Sequence, residues 1–265
     1  MVPDMKLHVL GSADAFNSGA RCHASYLVHG DGLPTVAVDF GATTLLALRK
    51  AGVSAETLDA VFITHLHGDH FGGLPFLILD AMFYDRRERP LTLIGPIGFT
   101  VRFEQLFKAL YVDIWERERP FETHLVEMSP GDKMEMGGLS VTAFAASHMD
   151  PPDVPLCFRM SSVGPSARTI TFSGDTEPCP GLTAAATGAD LLVAECSGLA
   201  PPCGRHITWQ DWQALFVVMA VESGVKKIVL SHLGRDVRDH LAELQAAAPP
   251  DVTLIFADDD QHFDV

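Results

Sequence analysis

Residues 61–74 read VFITHLHGDHFGGL. A short apolar run with the look of a strand stops, and His65, His67, Asp69 and His70 follow at once. Three imidazoles and a carboxylate placed side by side cost desolvation without return unless a cation shares their charge. Those two ligand types suit Zn²⁺, and also Mn²⁺ or Fe²⁺. Gly68 and the Gly72-Gly73 pair add the backbone freedom a tight liganding loop needs. The stretch therefore predicts a metal-binding loop at the carboxyl end of a strand.

The same idiom recurs further along the chain. LSVTAFAASH (139–148) ends on His148, TITFSGDT (169–176) carries Asp175 and KKIVLSH (226–232) ends on His232. In α/β architectures the carboxyl ends of strands converge on one sheet edge, where sites are built. His65, His67, Asp69, His70, His148, Asp175 and His232 exceed what one tetrahedral ion takes and suit two ions sharing a carboxylate.

Around these points the chain reads as alternating strands and helices. Strands are expected at 5–12, 24–30, 35–41, 59–65, 90–95, 139–148, 169–176, 189–197, 226–232 and 252–259. Helices are expected at 43–51, with Thr43 as cap, at 74–83, from 99 to 110, around 208–223 and near 236–247. No low-complexity linker or short internal period interrupts the pattern, so residues 1–265 read as one domain, with two related halves packed face to face as a possible arrangement.

Composition narrows the function classes. With 47% hydrophobic and 20% charged residues, the chain is that of an ordered globular protein. No apolar stretch reaches the ~18 residues of a membrane span, and the N-terminus lacks the basic start and apolar middle of a signal peptide. A cytoplasmic location follows as the expectation. Five cysteines without CxxC spacing fit reduced thiols rather than a disulfide framework. A net charge of −15 repels a phosphate backbone. The arginines at 86, 87, 89, 117 and 119 are interleaved with glutamates and read as solvated helix ends.

Taken in order, THLHGDH, His148, the Asp175 of SGDT and His232 resemble the motifs of the metallo-β-lactamase superfamily over nearly the whole chain. The resemblance implies an α/β fold, a four-layer αβ/βα sandwich of two facing mixed sheets with outer helices. It also implies a binuclear centre, with Zn²⁺ preferred over Mn²⁺ or Fe²⁺. His65, His67 and His148 would hold one ion and Asp69, His70 and His232 the other, with Asp175 and a hydroxide bridging them. FITHLHGDHFGGLPFLI, PLTLIGPIGF and SGDT look most like the ribonuclease Z branch. There Glu195, in LLVAECSG, and His206, in RHIT, match a catalytic pair in which histidine gives a proton to the leaving oxygen and glutamate orients the ring. Asp69 would also orient the hydroxide.

Ribonuclease Z enzymes carry a long transfer-RNA-gripping arm between the third histidine and SGDT. Here that interval is MDPPDVPLCFRMSSVGPSARTITF, enough for a loop and two strands. The short interval resembles small phosphodiesterase relatives. It implies a small substrate, such as a cyclic nucleotide or ribose phosphate, with transfer RNA not expected as a partner. An acyl hydrolase acting on a lactone or thioester would use the same ligands, and a non-catalytic metal-containing sensor is a further alternative.

Other residues take ordinary readings. His8, His29, His124 and His240 are expected to be solvated or capping, while His23 and Arg21 are candidates for the site mouth. Trp209 and Trp212 share a helix face and read as core. Cys179 is not expected to be a ligand. Met82 and Phe83 end an apolar helix suited to covering the pocket or forming a homodimer face.

Overall fold

The structure, a computed structural model, describes residues 5–250 and 252–265; the first four residues of the N-terminal stretch weighed as a signal peptide lie outside them. Strands β1 (Met5–Gly11), β2 (Ser25–Gly30), β3 (Val36–Val38), β4 (Ala60–Phe62), β5 (Leu91–Pro96) and β6 (Thr123–Met128) build the first sheet. β7 (Lys133–Met136), β8 (Leu139–Ala145), β9 (Leu156–Ser162), β10 (Thr169–Phe172), β11 (Leu191–Glu195), β12 (Lys227–Ser231) and β13 (Thr253–Phe256) build the second. The chain then returns, and β14 (Gln261–Asp264) joins the first sheet against β1.

The sheet orders are β14-β1-β2-β3-β4-β5-β6 and β13-β12-β11-β10-β9-β8-β7. The first sheet has three antiparallel pairings from β14 to β3 and then parallel pairings to β6. The second repeats this scheme, antiparallel from β7 to β10 and parallel from there to β13. The expected pair of facing mixed sheets is present.

Side-chain alternation assigns the layers. On β4, Ala60 and Phe62 enter the core between the sheets, where Phe158, Phe172 and Val193 also lie. Val61 and Ile63 point the other way, into a cluster with Leu48, Leu77 and Phe103. Those residues belong to α1 (Thr44–Lys50), α3 (Leu74–Leu79) and α4 (Phe99–Trp115), with α2 (Gly68–Phe71) preceding α3. On the second sheet, Leu192 and Ala194 face Leu182 and Trp212. The outer layer there comprises α5 (Pro180–Ala186), α6 (Trp209–Val217), α7 (Arg235–Asp239) and α8 (Leu241–Ala246). Both faces of the inner parallel strands β4, β5, β11 and β12 are buried, which is why they read as continuous apolar runs.

Several expectations change in detail. The helix expected at 236–247 divides at His240 (φ −117°, ψ 13°), and that expected around 208–223 passes into a π turn at Val218–Glu222. Thr43 does not cap α1; its hydroxyl accepts from the His23 N–H at 2.7 Å. Arg87 is buried rather than solvated, because its guanidinium donates to the carbonyls of Glu56, Leu58, Arg89 and Pro90 and so closes a turn without needing water. Among the described residues no helix is long and apolar enough to cross a membrane.

Candidate metal centre

Strands β8, β10, β11 and β12 run in one direction, so the turns after them share an edge with the turn after β4. The sheets are joined there by a hydrogen bond from Leu156 N–H to the Thr64 carbonyl at 2.8 Å. Two glycines make the approach possible. A Cβ on Gly41 would lie 1.9 Å from the Asp69 carbonyl oxygen. Gly174 has φ +56°, and a Cβ on it would strike Thr64.

The predicted ligands fall into two adjoining groups. His65, His67 and His148 form one and Asp69, His70, Asp175 and His232 the other, the ligand atoms within each lying within 4.8 Å of one another. Asp175 stands between them. Its Oδ2 is 3.3 Å from His70 Nε2, 3.4 Å from His232 Nε2 and 3.8 Å from both His65 Nε2 and His148 Nε2.

The partners of the far ring nitrogens settle the tautomers. His148 Nδ1–H donates to the Arg205 carbonyl at 2.9 Å, and His70 Nδ1–H to Asp39 at 2.8 Å. Thr64 Oγ1 spends its proton on Asp39 and so accepts from His65 Nδ1–H at 3.1 Å. Ser197 Oγ spends its proton on Glu195 and accepts from His232 Nδ1–H at 2.9 Å. In all four rings Nε2 keeps its lone pair for the cluster, an arrangement typical of metal-bound histidines. His67 differs: its Nδ1 faces His148 Nε2 at 3.1 Å.

Buried His65 Nε2, His70 Nε2 and Asp175 Oδ1 have no hydrogen-bond partner. Asp39, Asp175 and Glu195 are each at most 3% exposed, and Asp69 lies beside them. Such charge, with polar atoms left unsatisfied, is costly unless cations compensate it. The residues present therefore fit divalent cations. Burial opposes ionisation of Asp175, yet its electrostatic and hydrogen-bonding interactions with the surrounding His232, His70 and His65 rings hold its carboxyl well below the usual range.

His206 and Glu195 flank both groups. Despite its burial, the His206 imidazole is raised above its ordinary value by its hydrogen bonds to Glu195, at 3.0 and 3.1 Å from Nδ1, and by the charges of Glu195 and Asp175. Its ring lies 4.6 Å from that of His148 and 5.6 Å from that of His232, centroid to centroid. Asp69, His67, His148, His206 and His232 line one open cavity of about 360 Å³.

The sequence profile of the family described as "Anti-Pycsar protein Apyc1" matches residues 5–247. The chain belongs to this family. A protein of Methanosarcina acetivorans named ribonuclease Z is similar to this Apyc1-family chain, with 28% identity over 86% of this chain and 87% of that one. The metallo-β-lactamase fold protein YhfI from Bacillus subtilis superposes with a TM-score of 0.77 at 21% identity, covering 99% of this chain and all of that one. A structure described as a new diphosphatase from the PhnP family gives 0.73 at 19% identity, covering 98% of this chain and 97% of that one. This Apyc1-family chain is thus a ribonuclease Z-like member of the metallo-β-lactamase superfamily and a metal-dependent hydrolase.

Some sequence expectations for the Apyc1-family chain need correction, and some residues of the site carry no signal in the sequence. His8 is not solvated: it is buried, hydrogen-bonded to Asp260 at 2.8 Å and stacked on His262 across the β1–β14 pairing. Arg21 pairs with Asp258 and lines a different cavity with Lys50. His23 is buried within electrostatic reach of Asp69 and His70, its Nδ1 without a hydrogen-bond partner. The Cys179 thiol accepts from Leu182 N–H at the start of α5 and is no part of the cluster. Met82 is buried, whereas Phe83 is exposed. Asp39 and Ser197 are additions to the site, although each ends a strand in the same idiom as the ligands. Asp39 (φ 60°) and His232 (φ 51°) adopt the left-handed conformation, the kind of local strain that collects at functional sites.

Proposed function

We propose that the protein is a phosphodiesterase that uses two divalent cations, Zn²⁺ before Mn²⁺ or Fe²⁺, to cleave a small phosphodiester such as a cyclic nucleotide or cyclic ribose phosphate. In this reading His65, His67 and His148 hold one ion and Asp69, His70 and His232 the other, with Asp175 shared. Bound there, the ions would lower the pKa of a coordinated water and polarise the phosphoryl group. Asp69, the less buried of the two ligand carboxylates, orients the attacking water.

The observation that carries the reading is the Glu195–His206 pair beside both ligand groups. Glu195 accepts from His206 Nδ1–H and stabilises the imidazolium, so that Nε2–H can protonate a departing alkoxide. A phosphodiester expels an alkoxide that needs this proton; a readily opened lactone or thioester needs it less. The names of the similar proteins, ribonuclease Z and diphosphatase, accord with chemistry at phosphorus.

Those names leave RNA open as a substrate. Two features favour a small one. The interval after His148 is a loop followed by β9 and β10, both paired within the second sheet. The net charge of −15 also opposes a polyanion. The reading is tested by turnover of a cyclic nucleotide, a precursor transfer RNA, a lactone and a thioester. The cyclic nucleotide is expected to give the highest kcat/KM. Acyl turnover without phosphodiester turnover would overturn the reaction class, and preference for the precursor RNA would overturn the substrate size.

A further inference from the structure

Three side chains of metal-ligating type meet outside the strand-end centre. His8 on β1 and His262 on β14 are direct cross-strand partners in the antiparallel ladder, and Asp260 N–H donates to the Val9 carbonyl at 2.8 Å just before that ladder begins. Opposed residues of such a pair stand about 5 Å apart at Cβ, so backbone pairing alone brings the two imidazoles together. Their rings stack with centroids 3.8 Å apart. The ligand atoms of His8, Asp260 and His262 all lie within 4.8 Å of one another. None of the three belongs to the strand-end centre, and the cavity of about 250 Å³ that His8 and Asp260 line shares no residue with the cavity there.

The surroundings single out Asp260 as the carboxylate of this group. Asp259 is spent on Ser12, whose N–H and hydroxyl donate to it at 3.0 and 2.8 Å, and on Cys22 N–H at 2.8 Å. Asp258 is paired with Arg21. Arg21 and Lys50 line the cavity against three consecutive carboxylates, at 258, 259 and 260, so the balance of charge there stays negative. Asp260 Oδ1 is left with the histidines, His8 Nε2 at 2.8 Å and His262 Nε2 at 3.7 Å. The second distance is too long for a hydrogen bond. It suits two ligand atoms that share an ion, each bonded at about 2.0–2.2 Å. His8 is buried, whereas the Asp260 and His262 side chains are 67% and 64% exposed. The group thus has one fixed ligand, two that can adjust, and an open side for water.

We infer that His8, Asp260 and His262 form a further metal site, which takes a borderline divalent cation of the Zn²⁺ class and clamps β14 onto β1. Two imidazoles and one carboxylate suit Zn²⁺, with water completing the shell, whereas hard cations such as Mg²⁺ prefer oxygen ligands. The site is independent of the reaction proposed above. Its effect falls on the terminal strand: β14 is four residues long and pairs with β1 alone, and an ion held by both strands must be released before they part.

The test dialyses the full chain against buffered free Zn²⁺ as wild type, His262→Ala and Asp260→Asn. His262 is largely exposed and asparagine tolerates the positive φ of Asp260 (65°), so both variants are expected to keep the fold. Wild type should bind one equivalent per chain more than His262→Ala, and Asp260→Asn should hold that equivalent more weakly. Added Zn²⁺ should slow hydrogen exchange at the amides of residues 261–264 in wild type and not in His262→Ala. Equal metal content in wild type and His262→Ala would overturn the site. So would loss of every equivalent in His262→Ala, which would make His262 a residue the whole fold needs. An extra equivalent in wild type with the same exchange at 261–264 in both proteins would overturn the clamp.

Discussion

Replacing Asp39 by asparagine tests how the second metal group is held. Asp39 is 2% exposed and accepts from His70 Nδ1–H at 2.8 Å, from Thr64 N–H at 2.8 Å and from the Thr64 hydroxyl at 2.9–3.0 Å. Asparagine keeps the volume but has one acceptor oxygen where the carboxylate has two, and its amide hydrogens would face a donor. Hydrogen bonds to a charged group are worth about 1.5–3 kcal/mol each. Loss of a carboxylate that orients a ligand histidine costs typically ~10- to 100-fold in metal affinity, or about 1.4–2.7 kcal/mol. The loss should concentrate on the group containing His70. His65, which reaches Asp39 only through Thr64, should be affected less. Competition with a chelator at buffered free Zn²⁺, read as metal equivalents per chain, should show one weakened site and one nearly normal site. Unchanged affinity at both sites would refute the reasoning. So would equal weakening at both with a lowered Tm, because that would make Asp39 a general structural residue.

Two further outcomes follow from particular contacts. His206→Ala should retain its metals yet slow cleavage of a diester with an alkoxide leaving group by roughly 10²- to 10⁴-fold, with a much smaller loss on bis(p-nitrophenyl) phosphate, whose phenolate departs unprotonated; equal losses on both would remove His206 from the proton-donor role. Thr208→Ala removes a hydroxyl that caps α6 in a reciprocal box with Asp211, which should cost about 1 kcal/mol and lower Tm by about 2–4 °C in a calorimetric or fluorescence melt, without changing metal content; an unchanged Tm would show that the cap contributes nothing.

The parts of the fold legible from sequence are those buried on both faces. β4, β5, β11 and β12 announce themselves as apolar runs because outer helices cover one side and the opposite sheet the other. β6, β7 and β14 are not legible as strands, and all three lie at sheet edges. Their sequences THLVEM, KMEM and QHFD are short, charged and partly exposed, as edge strands commonly are, so they carry little hydrophobic signal. The site shows a similar division. The seven candidate ligands stand out because their chemistry has few other uses at strand ends. Asp39 and Ser197 do not, because their roles depend on which histidine the fold brings within reach. His8 misleads because its partners Asp260 and His262 lie some 250 positions away in the chain.

The return of β14 to β1 also bears on how the protein is made. Met5, Leu7 and Val9 of β1 are fully buried, and that strand's outer edge is paired by residues 261–264. At a translation rate of ~5–20 residues per second, roughly 10 to 50 s separate the synthesis of the two strands. During that interval the first sheet has an open edge on its antiparallel side even if every earlier strand has docked. The nascent chain is therefore vulnerable to edge-to-edge association until residues 261–264 have been made and pair with β1, and that strand acts as the stopper that ends the hazard.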